Sequence, residues 1–238
     1  MSLSIIIPCH NEEKIIENTI DNLKRSLKRI KHEIVLINDF SSDKTYNKFK
    51  KLSKIYKNIV YKNNNQRGLG GAIIAGINIS NFKYICIFMA DMSDSVEDLK
   101  KYYSLIKSNK VDAVFGSRFI KNSKIINYPK NKLILNRLFN YIVKILFFSN
   151  YNDFTNAFKI YKKDTLLKLF PIVSENFNIF LELPLKIISR KYLYLITNIS
   201  WTNRKVGLSK FKLKELTSKY IFTLIYCFLE KNLLKKYK

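Results

Sequence analysis

Five apolar, strand-like runs, four of them followed by helix-like segments, fill the first half of the chain and leave little choice of architecture. Leu3 to Ile7, Glu33 to Ile37, Asn58 to Tyr61, Tyr84 to Met89 and Val111 to Phe115 are short runs of the kind buried on both faces of a parallel sheet. Between them the spacing turns helical. Ile16, Ile20, Leu23 and Leu27 recur every three or four residues, and helices are predicted over Asp43 to Tyr56, Gly70 to Ile79 and Val96 to Ile106. Such alternation means βαβ units and a mostly parallel α/β sheet flanked by helices. The second half is less regular. It predicts helices over Leu133 to Phe148, Phe177 to Ile188 and Lys214 to Lys231, with strands at Ala157 to Tyr161 and Tyr194 to Trp201. With 238 residues the chain can bury one sizeable core, so one domain over residues 1–210 with a C-terminal helical extension, 211–238, is expected.

In open parallel sheets, ligands bind beyond the carboxyl ends of the strands, so the residues after each strand carry the functional signal. Pro8, His10, Asn11 and Glu12 close the first strand, Asn38 and Asp39 follow the second, and Arg67-Gly68-Leu69-Gly70 follows the third. Asp91 follows the fourth strand, and Ser117 and Arg118 the fifth. Taken singly, Asn11 reads as a helix cap with Glu12 and Glu13 in its first turn, and Asp39 as a turn with Ser41. Gly68 and Gly70 read as a tight strand-to-helix connection. Polar groups on all five rims together point to a binding site. There is no GxxxxGK[ST] phosphate loop, and Ile73 stands where the dinucleotide fingerprint needs its third glycine.

Composition narrows the partners. Only His10 and His32, with the scattered Cys9, Cys86 and Cys227, leave almost no ligands for zinc and fit a reducing compartment. The net charge of +25 suits phosphate-bearing substrates or an anionic membrane surface. No RNA- or DNA-binding signature accompanies it, so no nucleic-acid partner is expected. No run approaches the roughly 20 apolar residues that span a bilayer. Met1 leads directly into the first strand without a basic leader, which predicts a cytoplasmic protein.

In order along the chain, SIIIPCHNEE, EIVLINDFSSDKT, NQRGLGGAIIAGI, YICIFMADMSDSVEDL, VDAVFGSRF, NDFTNAFKIY and WTNRKVGLSKFKL resemble the motifs of glycosyltransferase family 2, in particular its dolichyl- or polyprenyl-phosphate sugar synthase branch. The resemblance runs from Ser2 to Leu213 and implies the GT-A fold and inverting transfer from a nucleotide-diphosphate sugar to a lipid phosphate on the cytoplasmic face of a membrane. It also implies that Pro8, His10, Asn11, Glu12 and Asp39 line the base and ribose pocket, with Gly68 and Gly70 beside them. Asp91 would hold a divalent cation, Mg²⁺ or Mn²⁺, and Arg118, Arg137, Arg204 and Lys210 would surround the phosphates. An anionic membrane surface, contacted through Leu133 to Phe148 and Tyr220 to Lys238, and a small integral-membrane partner are further expectations.

The chain departs from the family pattern at three places. Met89 replaces the first aspartate of the metal motif, Asn38 the first of an acidic pair, and Lys159 an arginine. Two other functions stay open on the residues. One is transfer to a hydroxyl of a polysaccharide, lipid or protein, with Asp153 or Glu182 as base. The other is non-catalytic binding of nucleotide sugar or membrane, suggested by Met89.

Overall fold

The computed structural model describes residues 2–203 and 213–233, with the side chains of 213–217 left aside. From the amino terminus the elements are β1 (Leu3–Cys9), α1 (Ile16–Ser26), β2 (His32–Asn38), α2 (Thr45–Ile55), β3 (Ile59–Asn63), α3 (Leu69–Ile79), β4 (Tyr84–Ile87), α4 (Val96–Ser108) and β5 (Ala113–Ser117). There follow β6 (Lys124–Ile126), α5 (Lys130–Phe147), β7 (Lys159–Lys162), α6 (Lys163–Lys168), α7 (Ile179–Ser189), β8 (Tyr194–Asn198), β9 (Ser200–Thr202) and α8 (Leu213–Leu233).

Seven strands form one sheet in the order β3-β2-β1-β4-β7-β5-β8, and β6 pairs with β9 in a separate two-stranded ribbon. All neighbours in the large sheet are parallel except β7, which runs antiparallel between β4 and β5. The expected mostly parallel α/β sheet is therefore present. β1, β2 and β4 are mostly apolar and buried because both faces are covered, whereas the edge strand β3 exposes Lys62 and Asn63. Ile5, Ile7, Ile34, Leu36 and Cys86 point into one core, with α1, α2 and α4. Ile6, Val35, Ile37, Ile85 and Ile87 point into the other, with α3, α5, α6, α7 and α8.

The second half departs from its sequence pattern in ways with simple causes. The expected strand Tyr194 to Trp201 divides into β8 and β9 around the fully buried Ile199, and β9 leaves the sheet to pair with β6. β6 and β9 have three residues each and α6 has six, too short to show a period. Helix α8 packs on α7 and α5, burying Tyr220, Thr223 and Cys227, and its Glu230 pairs with Arg190 at 2.6 Å. No helix among the described residues is long and apolar enough to cross a membrane.

Candidate active site

The rim of β1 and β2 is a hydrogen-bonded shelf. β1 ends at Pro8 and Cys9, and the chain turns through Asn11 in the left-handed region at φ 54°. His10 Nδ1 lies 2.7 Å from the Asp39 carbonyl, which only accepts, so Nδ1 carries the hydrogen and Nε2 is the acceptor. Asn11 Oδ1 accepts from Ser42 N at 2.8 Å, and the Glu12 amide donates to Thr45 Oγ1 at 2.9 Å. Asp39 Oδ1 takes the Gly68 amide and the Asn64 side-chain amide, both at 2.9 Å. The expected pocket residues Pro8, His10, Asn11, Glu12, Asp39 and Gly68 thus share one edge. Asn11 ties the rim to the Ser42 loop rather than capping α1.

The two glycines are explained by backbone approach. Gly68 has φ 120°, and a Cβ there would sit 2.4 Å from the Glu175 carbonyl oxygen. At Gly70 a Cβ would meet the Ser174 carbonyl oxygen at 2.0 Å, and the Gly70 amide donates to Glu175 O at 2.8 Å. The segment that presses on them is fixed by Glu182, which accepts from Val173 N and Ser174 N at 3.0 and 2.8 Å. Glu182 is fully buried and pairs with Lys186 at 2.8 Å. It is an internal anchor, with no exposure that would let it act as a base.

Beyond β4, β5 and β9 opens a cleft of about 520 Å³. Asp91, Asp94 and Arg118 line one part of it, with Tyr128 and Trp201 beside them. Leu135 and Phe139 from α5, Phe177 and Phe180, and Tyr220 and Ile221 from α8 line another part. Asp91 Oδ1 accepts from Ser93 N at 3.0 Å and Ser93 Oγ at 2.7 Å. Asp94 is 4% exposed and its Oδ1 is buried with no hydrogen-bond partner. Burial first, and the neighbouring Asp91 charge second, push its carboxyl up to about 8.

Arg118 lines the cleft but is already engaged. Its Nε and Nη2 reach the two Asp153 oxygens at 2.8 and 2.6 Å, and its amide donates to Oδ2 at 2.9 Å. Burial works against the guanidinium charge, but the Asp153 carboxylate more than offsets it and moves the pKa up. The ring faces of Phe119, Tyr128 and Trp201 lie 5.3 to 5.8 Å from its Cζ. Asp153 is wholly buried in this pair, so neither of the two expected bases is available to a substrate. Arg137 is exposed on α5 with its Cζ 5.7 Å from the Phe119 ring, and does not line the cleft. Arg204 and Lys210 lie outside the described residues.

Sequence reasoning missed Asp94, Tyr128, Lys132, Asn136 and Trp201, all of which line the cleft. Asp94 carried a signal, an acid three residues beyond Asp91 in a loop leaving a buried strand. The others come from α5 and the β6–β9 ribbon, whose placement no local pattern reveals. Among the described residues no three His, Cys, Asp or Glu side chains gather as a ready metal cage.

Residues 4–170 match the family model described as glycosyl transferase family 2. The chain belongs to that family. Among curated relatives it is similar to the dolichol-phosphate mannosyltransferase of Pyrococcus furiosus, 30% identical over 137 residues, 58% of this chain and 39% of that one. It is also similar to the glycosyltransferase AglD of Haloferax volcanii, 23% identical over 181 residues, 74% of this chain and 29% of that one. The chain thus spans well under two thirds of either relative. Among solved structures, glucosyl-3-phosphoglycerate synthase of Mycobacterium tuberculosis with Mn²⁺, UDP and phosphoglyceric acid matches with a TM-score of 0.69 at 14% identity, covering 97% of this chain and 78% of that one. S. aureus TarS with UDP-GlcNAc matches with a TM-score of 0.67 at 16% identity, covering 98% and 68%. These structures share the fold.

Proposed function

We propose that this protein is an inverting glycosyltransferase that moves a sugar from a nucleotide-diphosphate sugar to a polyprenyl phosphate at the cytoplasmic face of a membrane. The observation that carries the reading is the two-part cleft. Charged and aromatic groups lie around Asp91, Asp94 and Arg118, and an apolar wall is made by Leu135, Phe139, Phe177, Phe180 and Ile221. A lipid phosphate has the same two parts. The dolichol-phosphate mannosyltransferase among the relatives supports the same acceptor class.

The donor reading follows the β1–β2 shelf. His10 Nε2 and the Asp39 carboxylate offer acceptors for base and ribose groups, and Asp39 also fixes the Gly68 turn. The cleft fits a divalent cation, because Asp91 and a buried carboxylate oxygen without a partner lie on it together. Asp91 would hold the ion, which when bound would supply positive charge for the leaving diphosphate. The chain's own residues do the rest. An acceptor phosphate oxygen forms its bond to the anomeric carbon as the bond to the diphosphate breaks, and the nucleoside diphosphate leaves with the electron pair. An ionised phosphate needs no proton removed, which agrees with the burial of Asp153 and Glu182. Lys132 on the cleft, with Arg137 near its edge and Arg204 and Lys210 in the segment that follows β9, would place the acceptor phosphate.

The outer faces of α5 and α8 fit a membrane surface. Ile134, Leu138, Tyr141, Ile142 and Ile145 make an exposed stripe on α5 that ends at Phe148, 91% exposed in the left-handed region. Ile221, Phe222, Ile225, Leu229 and Leu233 make a second stripe on α8, and Lys231 lies 5.0 Å from the Phe148 ring. Apolar stripes edged by lysine suit shallow insertion beside acidic headgroups. Flotation with anionic vesicles tests this. The protein is expected to float at low salt and less at high salt, and Phe148→Asp with Ile142→Asp to stay behind while remaining folded. No flotation at low salt would contradict the membrane reading and favour a soluble acceptor or an integral-membrane partner.

A further inference from the structure

We propose that Asp94 is the second carboxylate of this protein's cation site and stands in for the acid that position 89 lacks. The inference rests on reading the cleft as a nucleotide-sugar site. Met89 lines the cleft but brings only a thioether, a poor partner for a hard cation that prefers oxygen. Its side chain also packs against the core shared by α3, α5, α7 and α8. Asp91 alone supplies one carboxylate, and its Oδ1 is already engaged by Ser93. Mg²⁺-type sites that hold diphosphates use one or two carboxylates together with phosphate oxygens and water.

Asp94 has what the second position needs. It faces the same cleft, it is 4% exposed, and its buried Oδ1 has no partner. A buried polar atom left unpaired in a native fold is uncommon and calls for a specific cause, such as an ion. The backbone on either side of Asp94 is tied to neighbouring elements. Thr202 N donates to Ser93 O at 2.9 Å, and Asp94 bridges Trp201 of β9. One residue later, Ser95 caps α4 by accepting from Glu97 N at 3.2 Å. The backbone at Asp94 is therefore fixed on both sides, with its side chain on the cleft.

Mn²⁺ binding by the full chain tests the assignment without turnover. Free Mn²⁺ is followed by its electron paramagnetic resonance signal, with the ion alone and with UDP or GDP added. Wild type is expected to take up Mn²⁺, and Asp94→Asn and Asp91→Asn each to lose about tenfold or more in affinity while keeping their circular dichroism. Met89→Asp placed in the Asp94→Asn background is expected to restore uptake, because it returns a carboxylate to position 89. Wild-type Mn²⁺ affinity in Asp94→Asn would overturn the proposal, even if sugar transfer were lost, and would make Asp94 an acid–base or positioning group. Transfer that proceeds equally in EDTA, with no Mn²⁺ uptake by wild type, would also overturn it and leave the transferase reading in place. Failure of that reading looks different, since no nucleotide sugar would then bind or react in any variant.

Discussion

The β1–β2 shelf and the cleft beyond β4, β5 and β9 are built by opposite means. On the shelf, polar side chains at strand ends bond to the next loop. His10 meets Asp39, Asn11 meets Ser42, and Asp39 meets Gly68, all within neighbouring βα units and partly open to solvent. In the cleft, charges are buried and their partners come from other elements. Arg118 after β5 pairs with Asp153 after α5, and Asp94 before α4 is pinned to Trp201 on β9. Changes on the shelf are therefore expected to act singly, and changes in the cleft to be felt by several elements at once.

The largest effect expected from this contrast is chemical. Asp91→Ala is predicted to lower transfer by roughly two to three orders of magnitude, as the loss of a principal charge-stabilising group does, and to remove any response to Mg²⁺ or Mn²⁺. Steady-state rates with and without added metal check it. Unchanged turnover would take the charged part of the cleft out of the chemistry.

Next is stability. Arg118→Ala leaves the wholly buried Asp153 without its partner, which is expected to destabilise the fold by about 3 to 5 kcal/mol. On the shelf, Asn11→Ala removes a neutral hydrogen bond and should cost about 1 kcal/mol. Urea denaturation of both variants compares the two halves directly. Equal losses would break the contrast.

The smallest effect is a pH slope. Burial lowers Lys159 from 10.5 to about 7, with Asp153 opposing that shift and Arg118 adding to it. Between about pH 7 and 10.5 the unfolded chain binds the proton more tightly, so this group's contribution to stability rises with pH and falls as pH drops toward 7. The stability of wild type relative to Lys159→Met should therefore grow from neutral to mildly alkaline pH. A flat difference would mean that the Lys159 ammonium is not desolvated against the Phe154 and Phe180 carbonyls.

The same contrast explains what could be read from residues alone. Strand-end groups such as His10, Asp39 and Asp91 are legible because a parallel sheet sends every such residue to one rim. Glu182 looked like a candidate base because its charge is visible in sequence, while its burial against Val173 and Ser174 is not. Arg118 lines the cleft after β5, but its pairing with Asp153 spans 35 residues and an intervening helix. Lys132, Tyr128 and Trp201 come into place only when α5 packs on α7 and α8 and the β6–β9 ribbon forms. The antiparallel direction of β7 also escaped, because a four-residue strand carries no mark of its direction.

The central claim is that the cleft joins a nucleotide sugar to a lipid phosphate, and acceptor competition tests it most directly. Radiolabelled nucleotide sugars are offered with Mg²⁺, a short polyprenyl phosphate and a soluble saccharide acceptor in the same tube, and the label is followed into the organic phase. The account predicts that label enters the organic phase in wild type, depends on the polyprenyl phosphate, and disappears in Asp91→Ala. Label that passes only to the saccharide, with the lipid phosphate neither labelled nor inhibitory, would contradict it.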